Sequence, residues 1–429
     1  MRLAGRVSAA IEIFTEIFER HRPASEALKD WGKAHRFAGS TDRHAIGTLV
    51  YDVLRRRNSL SARMDDGRPR ALALAALRDV WGESADQISR LCAEQHGPGA
   101  VTPAEQTALA RDRRDDLPLH VAGDIPEWLA PSFAAAFGAG AATEGAALAS
   151  RAPIDLRANT LRTSRPEVLA ALARFGAAEG PWSPLCVRIP PPGHDTRNAN
   201  VEAEPAHGRG WYEVQDAASQ VAALLTGVGP GERVADICAG AGGKTLALAA
   251  MMQNQGRLIA HDADRFRLRP IFERLTRAGV TNCDVISAQE QGRLAAEGPF
   301  DCVVIDAPCS GTGAWRRKPD AKWRLTERQL EQRLKDQVQV LEKGFELTKP
   351  GGRLVYITCS VLPQENDGQV DAFLTGHLDA KIIPYRDQWQ RSIGGPAPDS
   401  ANGSDRTLLM TPARHDTDGF FVAVLERLA

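Results

Sequence analysis

From residue 211 onward the chain alternates short apolar runs with amphipathic stretches, and no other feature limits its fold as much. Runs at 233–237, 257–260, 284–287, 302–305, 353–358 and 420–425 have the length and apolar character of buried strands. Between them, 243–252 and 265–278 read as helices. Thr326 with Gln329 forms a capping box for a longer helix, whose stripe is Leu330, Leu334, Val338, Leu341 and Phe345. Pro350, Gly351 and Gly352 are expected to stop that helix. Strands and helices alternating at this spacing build an α/β fold, a mainly parallel sheet covered on both faces.

At 429 residues there is room for further units ahead of that sheet. Residues 1–150 read as an all-helical domain. Val7, Ile11, Phe14 and Phe18 share one helix face, and Ile46, Leu49, Val50 and Val53 stripe a second helix over 42–54. Ala-rich stretches at 71–77 and 84–93 continue the pattern, and 97–103 and the charged run 111–116 read as loops. Residues 151–210 read as a small α+β unit with its linker. It has a strand at 154–158 bearing Arg157 beside Asn159, a helix at 165–175 opened by Ser164 and Glu167 and closed by Gly176, and a returning strand at 185–189. A polar linker at 194–210 follows, and 211–429 carries the alternating sheet.

No apolar run approaches the ~20 residues that span a bilayer. Glu12, Glu16 and Glu19 interrupt what would be the apolar part of a signal peptide, so a cytoplasmic protein is expected. Seven cysteines without a CxxC pair or zinc spacing give no disulfide framework and no metal site. A net charge of −1 argues against a uniformly basic coat for nucleic acid, but it hides patches. Residues 1–60 hold eleven Lys and Arg against seven Asp and Glu, and residues 311–340 hold eight against four. Each excess suits phosphate contacts or a solvated helix face equally well.

The loop DICAGAGGKT, residues 236–245, joins the first strand of the sheet to its helix. Glycines let the backbone turn tightly and approach a ligand at the helix N-terminus, where an open α/β sheet holds a nucleotide-like cofactor. Neither the Walker pattern GxxxxGK[ST] nor GxGxxG is matched. Asp262, just past the second strand, is placed to accept hydrogen bonds from ribose hydroxyls. The plainer alternative is a glycine-rich turn required for packing.

Residues 303–323, VVIDAPCSGTGAWRRKPDAKW, run from a strand into a loop with a carboxylate, a thiol and cations. Cys302, Cys283, Cys186 and Cys92 read as core residues, whereas Cys309 and Cys359 each follow the end of a strand and precede a serine. A thiol beside Asp306 and a cofactor suits covalent catalysis on an electron-poor ring. Thiolate addition at C6 of cytosine makes C5 a nucleophile for a methyl group, while an acid at N3 drains the charge. DAPCS alone fits the Pro-Cys nucleophile loop of a DNA cytosine methyltransferase equally well.

Together with YITCSVLPQEND, the terminal DGFF, YEVQDAASQ and LRANTLRTS, these motifs resemble the Sun/Nop/RsmB family of S-adenosylmethionine-dependent RNA cytosine-C5 methyltransferases. The likeness is specific over 154–428 and looser over 1–150, which is similar to the NusB-like RNA-binding domain of bacterial members. It implies a Rossmann-like class I methyltransferase domain with a mainly parallel seven-stranded sheet. It makes Cys359 the nucleophile, Cys309 the residue that assists release, and Asp306 a contact of both cytosine and cofactor. Cys238, Ala239, Gly240, Ala241, Gly242, Gly243 and Lys244 would wrap the methionine part of S-adenosylmethionine, with Asp262 on the ribose. Lys244 has two open roles, lowering a thiol pKa or holding a phosphate. The family has Ala-Pro at Gly240-Ala241 and an acid near the adenine at Gln289, whose amide carbonyl still accepts. Arg316, Arg317, Lys318 and Lys322 beside Trp315 and Trp323 would supply phosphate contacts and stacking, with a core role for Trp323 equally open. The expected partner is RNA, 16S ribosomal RNA first and transfer RNA as an alternative, with no membrane, no metal and a monomeric chain. Rival readings are a methyltransferase of DNA or protein and a non-catalytic RNA-binding or ribosome assembly factor.

Overall fold

The N-terminal helices Leu3–Glu19, Ser40–Arg55 and Pro69–Asp79 share one apolar core in the computed structural model, which describes residues 1–112, 116–193, 196 and 199–429. The loop expected at 111–116 and the linker at 194–210 lie partly outside the described residues. Ile46, Leu49, Val50 and Val53 are all buried, as their spacing predicts. On the first helix the buried face is rotated. Val7, Ala10, Ile13, Phe14 and Ile17 are fully packed, while Ile11 and Phe18 are half-buried. Ala10 leaves room for a neighbouring helix to come close, a contribution that a search for large apolar residues overlooks. Helices Ala130–Phe137 and Ala141–Leu148 send Phe133, Phe137 and Leu148 into the core of the large sheet instead.

A small antiparallel sheet follows, of β1 (Ile154–Ala158), β2 (Ala178–Glu179), β3 (Cys186–Ile189) and β4 (Tyr212–Val214), in the order β2-β3-β1-β4. Glu167 accepts from the Ser164 N–H at 2.9 Å, and helix Arg165–Leu172 ends in a 3₁₀ turn before Gly176 at φ +70°. Asn159 ties this sheet to the next one, its Nδ2 donating to Gly210 O at 2.8 Å and to Ala278 O at 2.9 Å. Arg157 is buried and donates to Gln215 Oε1 at 2.6 Å.

The large sheet holds β5 (Arg233–Asp236), β6 (Arg257–His261), β7 (Cys283–Ile286), β8 (Phe300–Asp306), β9 (Thr348–Thr358), β10 (Ala380–Ile383), β11 (Leu408–Met410) and β12 (Phe420–Arg427). Seven strands run in the order β10-β12-β9-β8-β5-β6-β7, and β11 adds to β12 as an eighth. Strands β5 to β9 are parallel, while β12 is antiparallel to β9 and to β10. Alternate residues enter opposite cores: Ala235, Val303, Ile305 and Leu354 on one face, Val234, Cys302, Val304 and Val355 on the other. Both faces are therefore covered, as in parallel sheets generally. The chain steps from β5 outward to β7 and then returns to β8 on the far side of β5. That reversal opens a crevice at the carboxyl ends of β5 and β8.

Three helix details differ from expectation. The segment 265–278 breaks at Pro270 into Arg265–Leu268 and Ile271–Ala278, because proline lacks the donor and crowds the preceding turn. Helix Glu327–Leu347 buries Leu330, Leu341 and Phe345, but Gln337 takes the inward position and Val338 is exposed. Pro350, Gly351 and Gly352 lie inside β9, after a helix that has already ended at Leu347.

Candidate functional site

Strands β8 and β9 are neighbours with Asp306 opposite Ile357, so the two Cys-Ser turns leave the sheet side by side. Cys309 Sγ lies 3.3 Å from Cys359 Sγ, both thiols partly exposed. The backbone fixes this apposition: Ala307 N donates to Ile357 O at 2.8 Å, and Gly313 N donates to Cys359 O at 2.9 Å. Gly313 in turn meets Gly419, whose N–H donates to Gly313 O at 2.8 Å. A Cβ on Gly313 would stand 2.0 Å from Gly419 O, so the DGFF motif is the wall against which this turn is closed. Cys359, its burial and the nearby Glu365 push the Cys309 thiol well above the usual thiol range. Cys309 is therefore a thiol that holds its proton.

Strand β5 ends in Asp236, a buried carboxyl raised by burial to about 7 and bonded by Thr245 Oγ1 at 2.7 Å. The loop beyond it is drawn onto the end of β6. Ala239 N donates to His261 O at 2.9 Å, and Gly240 N donates to Asp262 Oδ2 at 2.8 Å. Helix Gly243–Met251 then starts at the crevice with its N-terminal N–H groups. Asp262 is buried and also accepts from Asp264 N at 2.8 Å. The Arg267 guanidinium, half exposed, approaches Asp262 at 3.6 Å. Ala241 O accepts from Arg274 at 2.7 Å. Burial, with Asp236, Asp262 and Asp306 nearby, pushes the Cys238 thiol up, so it lines the loop as a neutral group. A helix N-terminus, an acid at the end of β6 and a neutral thiol suit a ribose-bearing cofactor with a charged amino-acid tail.

Lys244 is 3% exposed and committed within the protein. Its Nζ stands 3.2 Å from Asp306 Oδ2 and 2.8 Å from Ser219 Oγ, and 5.0 Å from the centre of the Phe420 ring. It links the helix that opens at the crevice to the acid beside the thiols by donating to these two protein oxygens. Gln289 sits in the 3₁₀ turn Ala288–Glu290 beyond β7 and is exposed.

The basic segment corrects an expectation. Trp315 is 1% exposed and stacks on Phe133 at 6.1 Å. Arg316 is buried against Asp418 and Asp216, and Arg317 bonds Asp418, Asp216 at 2.9 Å and Pro153 O at 3.0 Å. Lys322 is 1% exposed and donates to Arg55 O at 2.8 Å and Asp124 O at 2.6 Å. Trp323 Nε1 donates to Leu54 O at 2.6 Å. Trp315 and Lys322 brace the N-terminal unit, and the Arg316 side chain is held in ion pairs beneath the surface, so none of the three forms a surface for phosphates and bases. Lys318 is exposed. Sequence reasoning missed Asp216, Asp418 as an ion-pair partner, and Glu365, which receives the serine after each thiol. The only signal for Glu365 was its place in the quoted stretch YITCSVLPQEND.

Among the described residues no helix is long and apolar enough to cross a membrane, and no group of three or more His, Cys, Asp or Glu could hold a metal. Residues 223–426 match the family model of the 16S rRNA methyltransferase RsmB/F, and residues 125–194 match the ferredoxin-like domain of RsmF/B-like methyltransferases. A probable ribosomal RNA small subunit methyltransferase B of Synechocystis is 32% identical over 71% of this chain and 67% of its own length. A ribosomal RNA small subunit methyltransferase B of Sodalis glossinidius is 36% identical over 74% of this chain and 69% of its own. The crystal structure of a methyltransferase homolog protein from Pyrococcus horikoshii, 29% identical, superposes with a TM-score of 0.59 over 72% of this chain and 98% of that one.

Proposed function

Because the chain belongs to the RsmB/F family of 16S rRNA methyltransferases, we propose that it methylates C5 of a cytosine in 16S ribosomal RNA through a covalent adduct. The observation that carries this reading is the pair of thiols 3.3 Å apart beside Asp306, at the mouth of the cofactor crevice. S-adenosylmethionine supplies an electrophilic methyl group. Cys238 to Lys244, with Asp262, would hold it at the carboxyl ends of β5 and β6, Asp262 taking the ribose after Arg267 swings aside. Gln289 would take the adenine from the β7 side.

Cys359 adds to C6 of the target base, forming an S–C6 bond and passing an electron pair of the ring toward N3. Asp306, bonded by Lys244 at Oδ2 and carrying a proton on Oδ1, meets that charge by donating a hydrogen bond to N3. C5 then takes the methyl group as the methyl's bond to the donor sulfur breaks and leaves a neutral thioether, the C5 proton passes to a base, and the ring double bond re-forms as the S–C6 bond breaks. Cys309 retains its proton next to the departing sulfur and donates to it, which is what release requires. We assign residues 1–150 and 151–210 to holding the RNA and residues 211–429 to the chemistry. A base must leave its stack to reach the thiols, which single-stranded RNA allows at low cost.

The test uses labelled S-adenosylmethionine and 16S RNA. Cys359→Ala is expected to reduce methyl transfer by at least about 10³-fold. Cys309→Ala is expected to trap a protein–RNA adduct that survives denaturing electrophoresis. Normal turnover by Cys309→Ala without adduct would overturn the division of roles. Bisulfite sequencing of cellular RNA with and without the protein identifies the cytosine.

A further inference from the structure

Glu365 is 0% exposed, yet among the described residues no lysine or arginine pairs with it. A buried carboxylate without a counter-ion is costly unless hydrogen bonds replace its solvent. Four do so, from three separate elements. Oε1 accepts from Ser310 N at 2.8 Å and from Gln337 Nε2, on the long helix, at 3.0 Å. Oε2 accepts from Ser310 Oγ at 2.5 Å and from Ser360 Oγ at 2.5 Å. Ser310 and Ser360 are the residues directly after Cys309 and Cys359, and their own hydroxyl oxygens lie 3.3 Å apart. The same Gln337 amide also donates to Pro308 O at 3.0 Å, on the other side of Cys309.

We propose that Glu365 is a positioning residue for both thiols, drawing the two Cys-Ser turns onto one carboxylate and thereby setting the spacing of the sulfurs. The assignment of roles to the thiols rests on the proposed function above, but the geometry does not. Asn366 stiffens the same turn, accepting from Thr358 Oγ1 at 2.6 Å and donating to Ser360 O at 3.0 Å. Tyr356 OH donates to the Glu365 carbonyl at 2.7 Å, which fixes the backbone from which the side chain reaches. The carboxylate has a second consequence through space: its charge opposes ionisation of Cys309 and helps keep the proton on that thiol.

Glu365→Ala removes the shared acceptor, whereas Glu365→Gln keeps the shape and removes the charge. Two readouts on the full chain need no RNA. The first is the rate at which diamide cross-links Cys309 to Cys359, mapped by mass spectrometry. The second is the pH dependence of iodoacetamide labelling at each thiol. Glu365→Ala is expected to cross-link at least about tenfold more slowly than wild type, since reaction rates of apposed groups fall steeply with misplacement. Glu365→Gln is expected to cross-link near the wild-type rate, but to label at Cys309 from a pH lower by about one unit. If Glu365→Ala does not fold, Glu365→Asp, whose carboxylate falls one methylene short of the two serines, is expected to slow cross-linking in the same way. Wild-type cross-linking in whichever of Glu365→Ala and Glu365→Asp folds would overturn the proposal, and unshifted labelling in Glu365→Gln would overturn the effect on the Cys309 proton. Methyl transfer to 16S RNA is assayed separately: its absence from wild-type protein whose thiols respond as described counts against the proposed function and leaves the positioning role standing.

Discussion

Gly242 shows how closely single positions govern the crevice. Its φ is +88°, a conformation that L residues adopt only under strain, and a Cβ there would stand 2.6 Å from Ile271 Cγ1. Gly242→Ala is expected to cost about 1–3 kcal/mol in stability. It should also weaken S-adenosylmethionine binding in a titration calorimeter, because the strain falls on the loop between Cys238 and the cofactor helix. An alanine variant with unchanged melting temperature and affinity would show that the turn tolerates a Cβ. Such positions were legible in the sequence, since glycine has few reasons to cluster. The thiols were legible too, because each follows an apolar strand. Glu365 was not: Ser360 is five positions away, but its other side-chain donors, Ser310 and Gln337, are 55 and 28 away, and no spacing in the sequence joins the three.

At the scale of elements, the segment around helix Pro319–Arg324 explains why a charge count misled. Charge density along a chain does not say which side of a helix faces water, and Lys322 faces the N-terminal helices. Its ammonium is held by the Arg55 and Asp124 carbonyls and lies 4.9 Å from the Trp323 ring centre. Burial, with Arg55 and Arg56 nearby, lowers the lysine to about 8 from 10.5. Between those values the unfolded chain keeps its proton and the folded chain has lost it, so this group adds stability as pH rises and withdraws it as pH falls through 8. In urea melts, the stability of wild type relative to Lys322→Met is therefore expected to grow from pH 8 to pH 10, by no more than about 3 kcal/mol. A difference that is flat with pH would mean the ammonium is solvated. Strands β5, β6, β8, β9 and β12 of the large sheet were legible because each holds a buried apolar run of its own. The edge strands β2, β4, β10 and β11 have only two to four residues and are defined by their partners rather than by their own pattern.

Across the whole molecule these braces make one mechanical path. Helix Ser40–Arg55 meets the segment after the thiol loop: Leu54 O accepts from Trp323, and Arg55 donates to Arg316 O at 3.2 Å. Arg316 and Arg317 then reach Asp216, at the start of helix Ala217–Leu224, and Asp418, ahead of the Gly419 that closes on Gly313. Gly313 holds Cys359 through its backbone. The N-terminal helices are thus connected, contact by contact, to Cys359, although the sequence separates them by some hundreds of residues and carries no periodicity that could reveal it. Trp323→Ala removes the bond to Leu54 O and the ring that packs against the helical core. In the full chain, amide hydrogen exchange is expected to rise both in helix Ser40–Arg55 and around Gly311 to Lys318, while β5 and β6 stay protected. A rise confined to the helix would show that the path ends at the interface. A rise at both ends would mean that how the N-terminal domain is seated alters the geometry of the thiols.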